Sequence, residues 1–218
     1  MGIAVAIDLR SKLLPVRDQG NRPTCMAFAA SDGHSAARNM MEPFYTEFAH
    51  YHAVRRTKAP DPTAGASFEL MAEALRDDGQ PLEVVWPYLS SLPPALADWR
   101  PPTPCEPTYQ VEYNFDNPSV PRLREIVLGG EPVVATMKIS ADFYQPDSSG
   151  VIHAAASRPA VATHAVIAVG LGQDGNSNFV LIRNSWGARW GLGGYAWLSE
   201  DYLKPRLLKV GTPVLQGA

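Results

Sequence analysis

Ile3, Val5 and Ile7 alternate with small or polar neighbours, the period of an extended strand, and Leu13-Leu14-Pro15-Val16 carries an extended chain to a loop at Gln19. From Cys25 to about Met41 the rhythm turns helical. Ala29, Ala30, Ala36 and Ala37 permit close packing there, and Pro43 ends the segment. Thr46 and Glu47 open a short second helix, Phe48 to Arg56, followed by a loop from Lys58 to Ala66 with two prolines and Gly65. Ser67 to Arg76 is the clearest amphipathic helix, with Phe68, Met71, Ala72 and Leu75 on one face and Asp77-Asp78-Gly79 as its stop. Val120 to Leu128 reads as another helix, stopped by Gly129-Gly130. After that the period is that of strands: Pro132–Ile139, Val161–Gly170, Asn178–Arg183 and Gly194–Leu198, with Gly172–Gly175 as the turn between the second and third. Helices first and strands later predict an α+β fold of two lobes.

Composition narrows this picture. A chain of 218 residues suits one large domain or two small lobes, and its 45% apolar share is ordinary for a soluble protein. No apolar run approaches the ~18 residues of a membrane-spanning helix. The net charge of -3 and the scattered basic residues give no nucleic-acid patch and no membrane-binding stripe. Prolines concentrate between 81 and 121, together with Trp86, Tyr88, Trp99, Tyr109 and Tyr113, which reads as a packed irregular segment because disordered stretches are poor in aromatics. Two cysteines, Cys25 and Cys105, are too few for a disulfide framework and fit a reducing compartment. The first residues have neither a basic region nor a long apolar core, so no secretory signal is read there, and the expected location is the cytoplasm or delivery from it.

Candidate chemistry begins at Cys25. A thiol at the start of a helix lies at the positive end of the macrodipole, which favours thiolate. Six residues upstream, Gln19 offers an amide donor of the kind that faces a developing oxyanion. Against this stands the ordinary fate of a free cysteine, a small buried hydrophobe. Of five histidines, His34, His50, His52 and His153 read as structural or surface groups, and none has metal-ligand spacing. His164 differs, because it begins the apolar strand Ala165–Gly170 and so stands where a cleft would open. The loop Arg183-Asn184-Ser185-Trp186-Gly187 holds an Asn able to accept a ring N–H and fix a histidine tautomer, with Trp186 as a shield from water and Trp190 in the core.

Three blocks together resemble the papain-like cysteine peptidases. They are Gln19-Gly20 through Cys25-Met26-Ala27-Phe28-Ala29, His164-Ala165-Val166 through Val169-Gly170, and Asn184-Ser185-Trp186-Gly187 through Gly194-Tyr195. His164 follows Cys25 by 139 residues, inside the ~130–150 range for this family, while Asn184 falls slightly beyond it. Weaker echoes at Phe44–Glu47, Gly65–Ala74, Trp86-Pro87-Tyr88 and Gly130–Val133 extend the resemblance over nearly the whole chain. It implies one papain-like domain, 1–218, with a helical lobe over roughly 19–115, a β-rich, barrel-like lobe over 116–218, a cleft between them, and the strand 1–18 packed on the β-rich lobe. Arg22 and Met26 replace the Cys and Trp that flank the nucleophile in secreted members, which marks a disulfide-free, bacterial-type branch.

By this resemblance Cys25 is the nucleophile, His164 the proton carrier, Asn184 its orienting partner and Gln19 an oxyanion donor, with no metal or cofactor. A protein or peptide is the substrate. The specificity pocket is expected from Gly65, Ala66, Phe68, Met137 and Ala165, with Trp186 nearby, favouring an apolar side chain two positions before the scissile bond. No paired-histidine insertion blocks one end of the cleft, which points to an endopeptidase. Two alternatives stand beside it: a catalytically silent binding module on the same fold, and an acyl-transfer or deamidase enzyme using the same Cys-His pair. Control is expected from an inhibitory pro-segment or regulatory partner outside the 218 residues.

Overall fold

A computed structural model of the chain describes residues 2–84, 86–153 and 158–215. Its central helix, α1, runs Cys25–Ala37 and buries nearly every side chain after the first. It ends before Met41 because the chain turns at Asn39, which adopts a left-handed φ of 50°. Small residues let other elements approach α1 closely. Gly33 is the limiting case: a Cβ there would meet Tyr113 Oη at 2.9 Å and Val134 at 3.1 Å. Glycine in mid-helix costs ~0.5–1 kcal/mol relative to alanine, and here it admits the sheet against the helix. Tyr113 Oη then donates to the Ala30 carbonyl at 2.7 Å.

Two further helices complete this lobe, α2 at Thr46–Arg55 and α3 at Phe68–Asp77. Ser67 caps α3 by accepting from Leu70 N–H, and Phe68, Met71, Ala72 and Leu75 are buried as their spacing predicts. The irregular segment after it is packed. Gln80 and Tyr109 exchange backbone hydrogen bonds, and Tyr88 and Trp99 both reach buried polar partners.

The second lobe is built on one sheet. Its strands are β1 Ala4–Asp8, β2 Glu112–Asp116, β3 Val133–Ile139, β4 Val151–Ile152, β5 Ala162–Asp174, β6 Ser177–Arg183, β7 Tyr195–Ser199 and β8 Leu207–Val214. They lie in the order β2-β8-β3-β5-β6-β7-β4, with β1 on β5. Helix α4, Val120–Leu128, packs on β5 and β3, and the short α5, Glu200–Leu203, follows β7. The hairpin between β5 and β6 turns at Gly175, where φ is 57°.

The sequence pattern misplaces some limits. The extended start ends at Asp8, because Arg10–Lys12 forms a 3-10 turn. Strand β8 alternates Leu208, Val210 and Val214 with Lys209, Gly211 and Pro213, but glycine and proline are poor strand formers and hide it. Strand β2, Glu112–Asp116, pairs with β8 at the edge of the sheet.

Strand β5 is the hinge of the architecture. It pairs with β1, β3 and β6 and is the strand against which α1 packs. Asp32 of α1 ties the lobes together, pairing with Arg183 Nε at 3.1 Å and Arg17 Nη2 at 3.0 Å.

Candidate active site

Pro23 biases Arg22 away from helical backbone, Thr24 is the cap residue, and Cys25 is the first residue of α1. The cap residue Thr24 does not use its hydroxyl on the helix; it bonds Tyr88 Oη at 2.8 Å instead. The first-turn N–H groups, Cys25 N–H among them, lack intrahelical acceptors and remain donors at the positive end of the helix dipole. Both cysteines are free thiols, and Cys25 is partly exposed.

Across from it His164 lies near the start of β5, only 5% exposed. Its Nε2 is 2.7 Å from Asn184 Oδ1, and the same oxygen accepts Ser185 N–H at 2.8 Å. A backbone N–H can only donate, so the atom it meets must be the amide oxygen. Nε2 must then carry the ring proton, and Nδ1 is the basic nitrogen. The ring is enclosed by aromatics: Trp186 with its centroid at 4.7 Å and Phe143 at 5.5 Å. Phe143 was not legible as part of the site; it comes from the short turn Ala141–Tyr144 after β3, and its carbonyl accepts Trp190 Nε1 at 3.1 Å.

Gln19 is buried beside this loop. Its Oε1 accepts the Ser185 hydroxyl at 2.6 Å, its Nε2 donates to the Arg22 carbonyl at 2.7 Å, and its backbone N–H donates to Ser185 O at 2.8 Å. An amide nitrogen has two N–H donors, so one remains after the Arg22 contact. Asp18 and Trp186 form a β-bridge, and Gly187 sits so close that a Cβ would meet Asp18 Oδ2 at 2.7 Å. With φ at 72° this position suits only glycine. The Gln19 and Asn184 loops are therefore one interlocked unit. Ser185 was passed over in the sequence although it lies inside the Asn184 block, because its partner is 166 positions away.

Burial governs the ionisation of both groups. Burial pushes the Cys25 thiol up, while the backbone N–H groups of Ala165, Met26 and Cys25 itself favour the thiolate. His164 is pushed down to about 4, by burial first, with the Asn184 hydrogen bond working the other way. Each charge made singly is penalised.

Cys25 and His164 line one cleft of about 430 Å³ between the lobes. Gly65, Ala66, Phe68 and Ala165 line it as the sequence suggests. Met137 does not. Its side chain is buried on the other face of β3, and its neighbour Thr136 faces the cleft, as the two-residue period of a strand requires. Trp186 lies outside this pocket, over His164 and stacked on Tyr144 at 5.2 Å. The far wall comes from Leu208 and Lys209 of β8, and Lys209 Nζ is ion-paired with Glu69 of α3. Among the described residues, no three His, Cys, Asp or Glu side chains converge as a metal site.

The sequence profile of the papain family of cysteine proteases matches residues 3–205. Digestive cysteine proteinase 2 of Homarus americanus is 26% identical over 204 residues, covering 91% of this chain and 62% of that protein. Cathepsin J of Rattus norvegicus is 27% identical over 202 residues, covering 86% and 57%. The chain thus spans less than two thirds of the length of these curated relatives. Among solved structures, xylellain, a cysteine protease from Xylella fastidiosa, superposes with a TM-score of 0.82 at 21% identity, covering 97% of this chain and 87% of that one. The Carica candamarcensis cysteine protease CMS1MS2, solved in complex with E-64, gives 0.72 at 20% identity, covering 96% and 97%.

Proposed function

The chain belongs to the papain family of cysteine proteases, and from that premise we propose that it is an endopeptidase whose nucleophile is Cys25. The observation that carries the reading is the His164 tautomer: Asn184 holds the proton on Nε2 and leaves Nδ1 basic, on a ring that lines the same cleft as the thiol.

The steps follow from these roles. The Cys25 Sγ proton passes to His164 Nδ1, and the thiolate attacks the carbonyl carbon of the scissile peptide bond. The carbonyl oxygen becomes an oxyanion, held by the second Gln19 N–H and the Cys25 backbone N–H. Collapse of this intermediate breaks the C–N bond, and the imidazolium gives its proton to the departing amine. A water molecule, deprotonated by the same ring, then hydrolyses the thioester and restores Cys25. The apolar cleft wall of Ala66, Phe68 and Ala165 suits an apolar side chain two positions before the scissile bond.

Incubation of wild type and Cys25→Ala with a denatured protein, followed by mass spectrometry, tests this. Internal cleavage by wild type, absent in the variant, is expected, with iodoacetamide blocking both the thiol and the cleavage. A wild-type thiol that neither alkylates nor cleaves would leave the fold as a binding module. Products of amide exchange or deamidation without cleavage would move the reading to acyl transfer.

A further inference from the structure

The second Gln19 N–H is useful only if it is aimed, and its aim rests on Arg22. The amide is fixed at two points, by the Ser185 hydroxyl on Oε1 and by the Arg22 carbonyl on Nε2. That same carbonyl accepts Thr24 N–H at 2.9 Å, so Arg22 O links the amide to the residue before Cys25. Gly20 in this loop has φ of 60°, and Arg22 holds the loop from below. Its guanidinium enters the helical lobe and is only 7% exposed. There Nη1 donates to Glu47 Oε2 at 2.6 Å and to the Leu89 carbonyl at 2.7 Å, with the group 5.3 Å from the Tyr88 ring centroid.

Glu47 is fully buried and is held in turn. Trp99 Nε1 donates to Oε1 at 2.6 Å, and Leu89 N–H to Oε2 at 3.1 Å. Tyr88 closes the circuit: its hydroxyl donates to Gln19 O at 2.7 Å and receives from Thr24 Oγ1. Burying two charges is costly even when they are paired, and an apolar pair of similar volume often serves stability as well or better. Stability alone does not call for this arrangement, whereas fixing one carbonyl to a fraction of an ångström does.

We infer that Arg22, anchored by Glu47, is the positioning residue for the oxyanion donor Gln19, and this rests on the oxyanion role proposed above for Gln19. Neither Arg22 nor Glu47 lines the cleft that holds Cys25 and His164. Misplacement of a catalytic group by ~1 Å can cost ~10² in rate, so the loss should fall on kcat.

The test combines steady-state hydrolysis of a fluorogenic peptidyl amide with the rate of Cys25 alkylation by iodoacetamide, a displacement at tetrahedral carbon that forms no oxyanion. Arg22→Met with Glu47→Gln removes both charges together. This pair should lower kcat by ~10–100-fold, with KM and the alkylation rate within ~3-fold of wild type. In a Gln19→Ala background the same pair should change kcat by less than ~3-fold, because there is no amide left to aim. Equal losses in both backgrounds, a parallel fall in alkylation, or full kcat in the pair would overturn the inference. If the neutral pair does not fold, Arg22→Lys keeps the buried charge and carries the same comparison, with ~3–10-fold expected in the Gln19 background and none in Gln19→Ala. A Gln19→Ala variant with wild-type kcat would overturn the oxyanion reading itself; a large Gln19→Ala loss beside a neutral pair of full activity would overturn only the role of Arg22.

Discussion

Helix α1 passes through two environments, and the contrast between its open end and its closed middle explains which residues can do chemistry. At the open end Cys25 meets the cleft; nine residues on, His34 lies in the closed interior, fully buried. His34 and His164 are alike in most respects. Both are buried, and burial pushes them down to about 3 and about 4. Both pack against aromatics, His34 stacked on Phe44 at 4.1 Å and His164 tilted over Trp186 at 4.7 Å. The difference is in the ring nitrogens. His34 Nδ1 meets Gln80 Oε1 at 3.1 Å, and its Nε2 accepts Arg38 Nε–H at 2.9 Å. His164 has Nε2 tied to Asn184, and no hydrogen bond within the described residues engages Nδ1. A depressed histidine therefore does not mark a catalytic base. What separates His164 from His34 is one nitrogen fixed by Asn184 and a ring that lines the same cleft as the Cys25 thiol.

The sharpest way to break this contrast is to remove each ring. His164→Ala should lower kcat by ~10⁴-fold or more, as general acid–base and nucleophile activation fail together, while the folded state persists. His34→Ala should do the reverse. It leaves the Gln80 carbonyl and Arg38 without their partner and opens a cavity against Phe44, costing ~2–4 kcal/mol of stability with kcat within ~3-fold. Peptide hydrolysis and urea unfolding on both variants check this. An inactive but fully stable His34→Ala would erase the distinction.

Titration probes the same contrast at smaller cost. His34, His50 and His164 sit at about 3, 4 and 4 when folded, against ~6.5 when unfolded. Above pH ~6.5 neither state binds these protons, and stability does not depend on them. As pH falls below that value the unfolded chain takes up protons the folded one refuses, so stability drops by up to ~1.4 kcal/mol per pH unit for each histidine until the folded values are reached. The urea midpoint should fall steadily from pH 6.5 to 4.5, and His34→Ala should show a shallower slope. A midpoint flat to pH 5 would mean these rings are not held neutral.

Gln19, Cys25, His164 and Asn184 stand out in the sequence as candidates because each sits in a short block whose local structure is encoded nearby: a helix start, an apolar strand, a glycine-closed loop. What aims them was not legible. Ser185, Tyr88 and Glu47 reach their partners across 166, 69 and 25 positions, and no local period reports such pairs. The resemblance implies Met137 as a pocket wall, yet on β3 it is Thr136 that lines the cleft, and Met137 is buried on the opposite face. Leu208 and Lys209 lie on strand β8, whose alternation is masked by Gly211 and Pro213, residues of low strand propensity.

The smallest effect concerns the cleft wall itself, which, unlike the packing around His34, leaves apolar surface without an internal partner. Ala66, Phe68 and Ala165 give that surface, and the Glu69–Lys209 ion pair bounds it with charge already neutralised within the chain. A substrate carboxylate or guanidinium entering there must compete with that pair and give up water. An apolar side chain gains ~1–3 kcal/mol per methylene buried in such a pocket. Peptidyl amides differing only two positions before the scissile bond should therefore rank Leu and Phe above Ala by ~10–100-fold in kcat/KM, with Glu and Arg poor. Lys209→Ala frees the Glu69 carboxylate and should raise Arg relative to Leu by a few-fold, at the scale of a partly exposed ion pair, leaving Glu as poor as before. Equal gains for Arg and Glu would mean that the substitution only widened the cleft, and that its charge plays no part in selecting the side chain.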